Sequence, residues 1–250
     1  MRDFAQITIT DPMGAPQPKN FLDRFWISLL KDSRDLPLMQ LTFKITVTLL
    51  PLTVLLFLTH GWVWALVFVA HFYLNHLYFK GPFGLMLHCA IHRPLFKKEY
   101  EPLNNYLPWC LAPLFGHTPE TYRAHHIGMH HAENNMETDD SSTLEFQRDS
   151  LRDFGKYVGR FILYGVYNLY LYHRAKKRKF FMTRILAGEI AFYTMVIALC
   201  FVNFTATFFA FIFPLFVFRF VAMLGNWSQH SFVDAADPSN HYKNSSTCIN

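Results

Sequence analysis

Histidines whose spacing suits metal binding are concentrated in one short stretch of this chain. His126, His130 and His131 form an H-x-x-x-H-H pattern, and His117 and His125 lie close by. Residues four apart lie one above the other on an α-helix, so His126 and His130 are expected to face one ion while His131 reaches a neighbour. The competing interpretation is a polar helix that is simply rich in histidine.

Two further groups favour the metal interpretation. His88 and His92 are again four residues apart in the segment HCAIH, and His230 ends the segment NWSQH. Neutral imidazole is the commonest metal ligand in proteins, and it suits both iron and zinc, so the spacing alone does not identify the metal. Nearby acids are candidates to orient the imidazole rings or else belong to a solvated loop. These acids are Glu133, Glu137, Asp139 and Asp140.

The composition indicates a membrane protein. Of the 250 residues, 52% are hydrophobic and only 16% are charged, whereas soluble domains carry roughly a quarter charged residues. The net charge is +5, but the basic residues cluster beside apolar runs, which indicates orientation in a bilayer and no nucleic-acid partner. The four cysteines form no C-x-x-C pair, which argues against a disulfide scaffold or a zinc ribbon.

Apolar runs of about twenty residues, enough to cross a bilayer, predict an all-α polytopic protein with four transmembrane helices in two hairpins. The positive-inside bias of the section between the hairpins predicts that both termini and the histidines are cytosolic. Two amphipathic stretches, Phe21–Lys31 and Phe154–Tyr172, are predicted to lie on the membrane surface. The predicted spans are Leu41–Thr59, Trp62–Phe79, Ile185–Phe201 and Phe204–Met223.

The second predicted span carries three polar groups, His71, Asn75 and His76. On a regular α-helix Asn75 shares the face of His71, whereas His76 is turned away by roughly 140°. We favour a packing or supporting role for these residues. Two segments are predicted, a cytosolic N-terminal segment at 1–40 with a possible interfacial helix and a membrane domain at 41–250.

The histidine segments resemble those of the membrane fatty acid desaturase superfamily, whose relatives include acyl hydroxylases and carotenoid-oxygenating enzymes. Members have two transmembrane hairpins, a cytosolic helical cap and three histidine boxes that hold two iron ions. HCAIH resembles the first box, HIGMHH the second, and NWSQH the N-x-x-x-H element. The resemblance implies a set of metal ligands, with the asparagine contacting metal through water: His88, His92, His126, His130, His131, His230 and Asn226.

The family's third box, H-x-x-H-H, has no counterpart here. After His230 the sequence contains only His241, which we interpret as a surface residue. We therefore expect a chain that is truncated before its third box and lacks three ligands, which bears on the activity of the chain as given.

The resemblance implies a membrane oxidoreductase, most directly a desaturase of acyl-lipid or acyl-CoA substrates. Hydrogen removal from an unactivated methylene needs a metal that activates O₂. The sequence contains no G-x-G-x-x-G fingerprint, so a separate donor of the cytochrome b5 or ferredoxin type is implied, docking on basic residues near Lys97, Lys98 and Arg174–Lys179. The membrane would be the endoplasmic reticulum in a eukaryote and the inner membrane in a bacterium.

Other functions stay open at this point. A hydroxylase or a carotenoid-type oxygenase would use the same metal site. A different class is an inactive relative, or a non-catalytic membrane protein that binds metal or haem.

Overall fold

The protein is described by a computed structural model over residues 17–237, 240 and 244–245. Within these ranges the chain is helical and contains no strand, apart from an isolated antiparallel bridge between Leu30 and Phe96. The all-α prediction is thus confirmed. His241, which was interpreted as a surface residue, and residues 1–16 of the predicted N-terminal segment lie outside the described residues.

The α-helices of the described part follow one another with short connections, several of them 3-10 or π-helical. In chain order they are α1 (Phe21–Leu29), α2 (Leu36–Leu58), α3 (Gly61–Phe72), α4 (Lys80–His92), α5 (Thr121–His125), α6 (His131–Glu133), α7 (Leu151–Ala175), α8 (Lys179–Val202), α9 (Phe204–Thr207) and α10 (Phe213–His230).

Three helical segments are long and apolar enough to cross a membrane, namely Ser33–Leu58, Lys179–Val202 and Phe204–His230. A fourth span exists if Gly61–Tyr78 and Lys80–His92, which are bent by 54° at their junction, count as one broken span. The protein is therefore an integral membrane protein with three to four candidate spans. Large apolar side chains such as Trp62 and Phe201 remain exposed, as expected for surfaces that face lipid.

Three of the four helical segments are longer than the predicted spans, whereas Gly61–Tyr78 has the predicted length. Helix α2 begins at Leu36 rather than Leu41, with a proline in its first turn, where the missing N–H costs nothing. Helix α10 continues past Met223 to His230, so Asn226 and His230 belong to the helix itself. The sequence after Met223 is amphipathic, and an apolar-run criterion stops too early there.

The span that contains His71 ends in a π-helix, Tyr73–Tyr78, called here the span π-turn. The N–H of Phe79 donates to the carbonyl of Leu74 at 2.8 Å, a bond between residues five apart. The α-helical pitch assumed from the sequence is therefore wrong here. The two imidazoles nevertheless have different neighbours, since His71 bonds Thr53 of α2 whereas the His76 ring lies against Phe72 and Phe213.

The core joins the first hairpin to the connection after α4. Phe83 of α4 stacks on Phe115 with ring centroids 4.0 Å apart, and both side chains are fully buried among Ile45, Leu49 and Met86. At the end of α4, Arg93 donates to both carboxylate oxygens of Asp35 at 2.6 and 2.5 Å. This bidentate pair fixes the end of α4 against the start of α2.

The two amphipathic stretches are helices, as predicted. In α1 the Asn20 side chain caps the helix by accepting from the Asp23 N–H at 2.9 Å. Leu29 is buried, whereas Phe21 is 73% exposed. Helix α7 likewise buries one face against its neighbours and is not among the candidate spans of the described residues. That both helices lie on a membrane surface stays a prediction.

Candidate metal centre

The H-x-x-x-H-H segment does not form a regular α-helix. Between α5 and α6 the residues His126–His130 form another π-helix, called here the histidine π-turn. The N–H of His131 donates to the carbonyl of His126, five residues earlier. This pitch sets residues five apart on one face, and the Nε2 atoms of His126 and His131 lie 3.0 Å apart. The ring centroids of His126 and His130, four apart, are separated by 5.5 Å.

Helix α4 brings its two histidines to the same place. The Nε2 atoms of His92 and His126 are 3.2 Å apart, and the rings of His88 and His126 are 4.5 Å apart. One nitrogen from each of His88, His92 and His126 lies within 4.8 Å of the other two, close enough to share a metal ion. Segments 34 residues apart in sequence thus supply one cluster.

His230 at the end of α10 completes the cluster from a third direction, with its ring 5.4 Å from that of His130. Its Nδ1 lies 2.9 Å from the carbonyl oxygen of Asn244. A carbonyl only accepts, so Nδ1 carries the hydrogen and Nε2 keeps its lone pair.

His130 is oriented in the same way. Its Nδ1 lies 2.8 Å from a carboxylate oxygen of Asp139 and 3.1 Å from the hydroxyl of Ser141. Asp139 is itself buried and accepts from the Ser141 N–H and hydroxyl at 2.9 and 2.7 Å. Burial raises the pKa of Asp139, but the His130 hydrogen bond and the neighbouring histidine charges lower it further, so the net pKa lies below its usual value.

Asn226 lies one turn before His230 on α10. Its amide nitrogen donates to the Ser141 carbonyl and to the Tyr157 hydroxyl, both at 2.8 Å. With both hydrogens donated, the amide oxygen is the group left for a ligand in the adjoining cavity.

The other acids near the histidines have different partners. Glu133 accepts from the Tyr172 hydroxyl at 2.5 Å and pairs with Lys176 at 3.1 Å. Asp140 accepts from Asn168 at 2.7 Å, and burial raises its pKa despite that hydrogen bond.

These features fit a metal centre. Burial lowers the pKa of His126 to about 2, and the charges of neighbouring histidines act in the same direction. The imidazole is therefore neutral, which is its metal-binding form. Imidazole nitrogens from several histidines lie close together. In His130 and His230 the Nδ1 atom is bonded to an oxygen acceptor, which is how histidines that bind metal are usually oriented.

The cluster has two sides. His92 and His131 are exposed. On the other side, His88, His126 and His130 line a cavity of about 810 Å³ whose remaining walls are mainly apolar. Such a cavity suits a long apolar ligand.

Phe115, Gly116 and Tyr122 also line this cavity. Trp109 instead donates to Glu120 at 3.1 Å.

Several supporting residues were missed by sequence reasoning. Helix α7 holds the histidine π-turn through His173, whose Nε2 donates to the Ala124 carbonyl at 3.1 Å. Arg178 donates to the Gly128 carbonyl at 2.6 Å. A Cβ atom on Gly128 would lie 2.7 Å from the His173 ring, so the glycine within H-I-G-M-H-H was the available signal for this close approach.

Comparison with known proteins adds one finding. The sequence model of the family described as "Fatty acid desaturase" matches residues 62–250, which include every histidine of the cluster. No curated protein matches the chain. No solved structure matches it either.

Proposed function

This chain belongs to the fatty acid desaturase family, and we propose that it is a membrane-bound di-iron oxidoreductase that introduces a double bond into an acyl chain. It would use O₂ and electrons from a separate donor of the cytochrome b5 or ferredoxin type. The observation that carries the proposal is the convergence of imidazoles from α4, the histidine π-turn and α10 beside one apolar cavity.

The residues that would hold iron are those of the cluster, with the asparagine acting through water: His88, His92, His126, His130, His131, His230 and Asn226. When bound, the irons supply the O₂-activating chemistry that removal of hydrogen from an unactivated methylene requires.

The chain's own residues prepare that site. Asp139 and Ser141 fix the tautomer of His130. Phe161, Leu169 and Phe218 line the cavity, exclude water and hold an aliphatic chain beside the histidines.

The proposed topology has four spans in two hairpins, with the bent pair Gly61–Tyr78 and Lys80–His92 supplying the second. The basic residues between the hairpins support a cytosolic location for the histidines and both termini. The membrane would be the endoplasmic reticulum in a eukaryotic cell and the inner membrane in a bacterium. Basic residues such as Lys97 and Lys179 would meet an acidic electron donor.

The test uses a full-length version of the protein, with any sequence that follows residue 250, in membranes of a host that lacks desaturases, and the matched variants His130→Ala and His60→Ala. His60 is exposed at the turn between α2 and α3. We expect two irons per chain by elemental analysis and a new double bond, seen by gas chromatography with mass spectrometry, in the wild type and in His60→Ala. His130→Ala should insert normally and yield no product.

Other results would change the assignment. A hydroxylated product would assign the chain to the hydroxylases of the same superfamily. A Soret band, or bound zinc without iron, would contradict the proposal, and so would retained product in His130→Ala.

A further inference from the structure

The cavity beside the histidine cluster carries a second group of nitrogen-bearing side chains. His76, Lys80 and His117 line it together with His88 and His126. His76 and Lys80 come from the junction of the span π-turn with α4. His117 follows the 3-10 turn Ala112–Phe115, which packs against that junction.

Two of these side chains lack partners among the described residues. His117 is only 4% exposed, and its Nδ1 makes no hydrogen bond there. Both ring nitrogens of His76 are likewise buried and unbonded, between the rings of Phe72 and Phe213 at 4.7 and 5.2 Å. Leaving a buried polar group unpaired is unfavourable. At the wall of a cavity, such groups are placed to bond a polar group that enters it.

The charged residues that line the cavity indicate that a polar group bound there would be an anion. Lys80 and Arg219 are cationic, and none of the described lining residues is an aspartate or glutamate. Lys80 donates to the Phe115 carbonyl at 2.8 Å, which accounts for one of the three donors of an ammonium group. An anion would find a cation and two imidazole donors at one place.

Resting on the proposed function, we propose that His76, Lys80 and His117 bind an anionic oxygen group of the substrate. The substrate is then an aliphatic chain that ends in a carboxylate or a phosphate, and its anionic end lies in the cavity rather than in the surrounding water.

The position of this anion site fixes where oxidation occurs along the chain. Helix α4 rises about 1.5 Å per residue, so His88 lies roughly 12 Å beyond Lys80. Tyr122 forms the wall between the two places, with its ring 5.3 Å from His117 and 5.4 Å from His126. The oxidised carbon is therefore expected on the order of 12 Å from the anion along the extended chain.

The test measures equilibrium binding to the full chain, reconstituted in discs of neutral phosphatidylcholine, before any turnover. The probes are radiolabelled hexadecanoate, hexadecyl phosphate and hexadecanol, which share a chain and differ in the end group. The variants are Lys80→Met, Lys80→Arg and the control Lys44→Met. Lys44 is exposed on α2 and does not line the cavity.

We expect the wild type to bind at least one anionic probe more tightly than hexadecanol, and the stronger of the two identifies the end group. Loss of a charged hydrogen-bond partner corresponds to about a ten-fold or larger change in affinity. Lys80→Met should therefore weaken binding of that probe by about ten-fold and leave hexadecanol unchanged, while Lys80→Arg and Lys44→Met retain it. Unchanged hexadecanol binding also shows that the variant is folded.

Equal affinity for all three probes, or an unaltered anion affinity in Lys80→Met, would overturn the inference. The binding result is separate from the chemistry. Lys80-dependent anion binding without any oxidised product would contradict the proposed function and leave the anion site standing. Oxidation of a neutral chain that Lys80→Met does not affect would contradict only the anion site.

Discussion

The span π-turn and the histidine π-turn have the same π-helical backbone but different neighbours. The span π-turn contains His76 and follows His71, and the histidine π-turn begins at His126 and is followed by His131, so each region carries histidines five residues apart. In the second pair the Nε2 atoms lie 3.0 Å apart. In the first, the Nε2 of His71 instead bonds the hydroxyl of Thr53 at 3.1 Å.

The difference shows that spacing and the number of residues per turn do not by themselves bring histidine nitrogens together as in the candidate metal centre. The histidine π-turn faces His92 of α4 and has Asp139 beneath it as a hydrogen-bond acceptor for His130. The span π-turn is surrounded by Phe72 and Phe213. π-Helical turns are frequent at functional sites, and here the neighbouring elements decide what each turn can bind.

The largest contrast is expected between His126→Ala and His71→Ala. We expect His126→Ala to lower metal content and product formation by about a hundred-fold or more, since even supporting residues of metal sites contribute ten- to a hundred-fold. His71→Ala should keep both. Elemental analysis and product assay of the purified proteins check this, and equal loss of metal in the two variants would remove the distinction between the turns.

A smaller effect is expected at the acceptor beneath the histidine π-turn. Asp139→Asn should weaken metal affinity about ten- to a hundred-fold, because Asp139 orients His130. The matched variant is Asp140→Asn, whose side chain accepts from Asn168 instead. Metal affinity measured by competition with a chelator separates the two, and an equal effect in both would argue against orientation by Asp139.

The packing that supports the histidine π-turn can be tested at its glycine. In Gly128→Ala the new Cβ would lie 2.7 Å from the His173 ring, and overpacking of this kind costs about 1–3 kcal/mol. Gly155→Ala, on α7, has nothing within 4 Å of its Cβ and should stabilise the helix slightly. Thermal unfolding in detergent compares them, and equal midpoints would show that α7 does not hold the turn.

The smallest effect is expected in the span π-turn. Thr53→Val removes the partner of His71, and hydrogen bonds between helices in membranes contribute about 0.6 kcal/mol on average. We expect a slight loss of stability in urea-dependent unfolding, with metal content unchanged. Loss of metal in Thr53→Val would mean that the span π-turn also supports the centre.

The histidine groups and the apolar runs could be predicted from the sequence, because each is a pattern of neighbouring residues. Residue type and spacing predicted His88, His92, His126, His130, His131 and His230 as metal ligands, and the structure brings these histidines together. The π-helical turns could not be predicted from the sequence, since the choice between an α- and a π-helical turn depends on what packs against it. Asp139 was one of four acidic residues predicted to orient the histidines, and its contact with His130 could not be singled out because that contact depends on the tertiary packing.

Residues that act over long separations left no local signal. His173 of α7 bonds Ala124 at the start of the histidine segment, 49 residues earlier, and Arg178, just before α8, bonds Gly128, 50 residues earlier. From the sequence alone, Lys80 resembles an ordinary lysine at the end of a span, and only the structure places it in the cavity wall.

The histidine cluster is accessible from two sides. His92 and His131 are exposed on one side, and the cavity lies behind His88 and His126 on the other. In the proposed reaction, small reactants from water and an aliphatic chain would therefore approach the histidines from opposite sides. A chain bound in the cavity would leave the exposed side open, so electrons would reach the occupied site without displacing that chain.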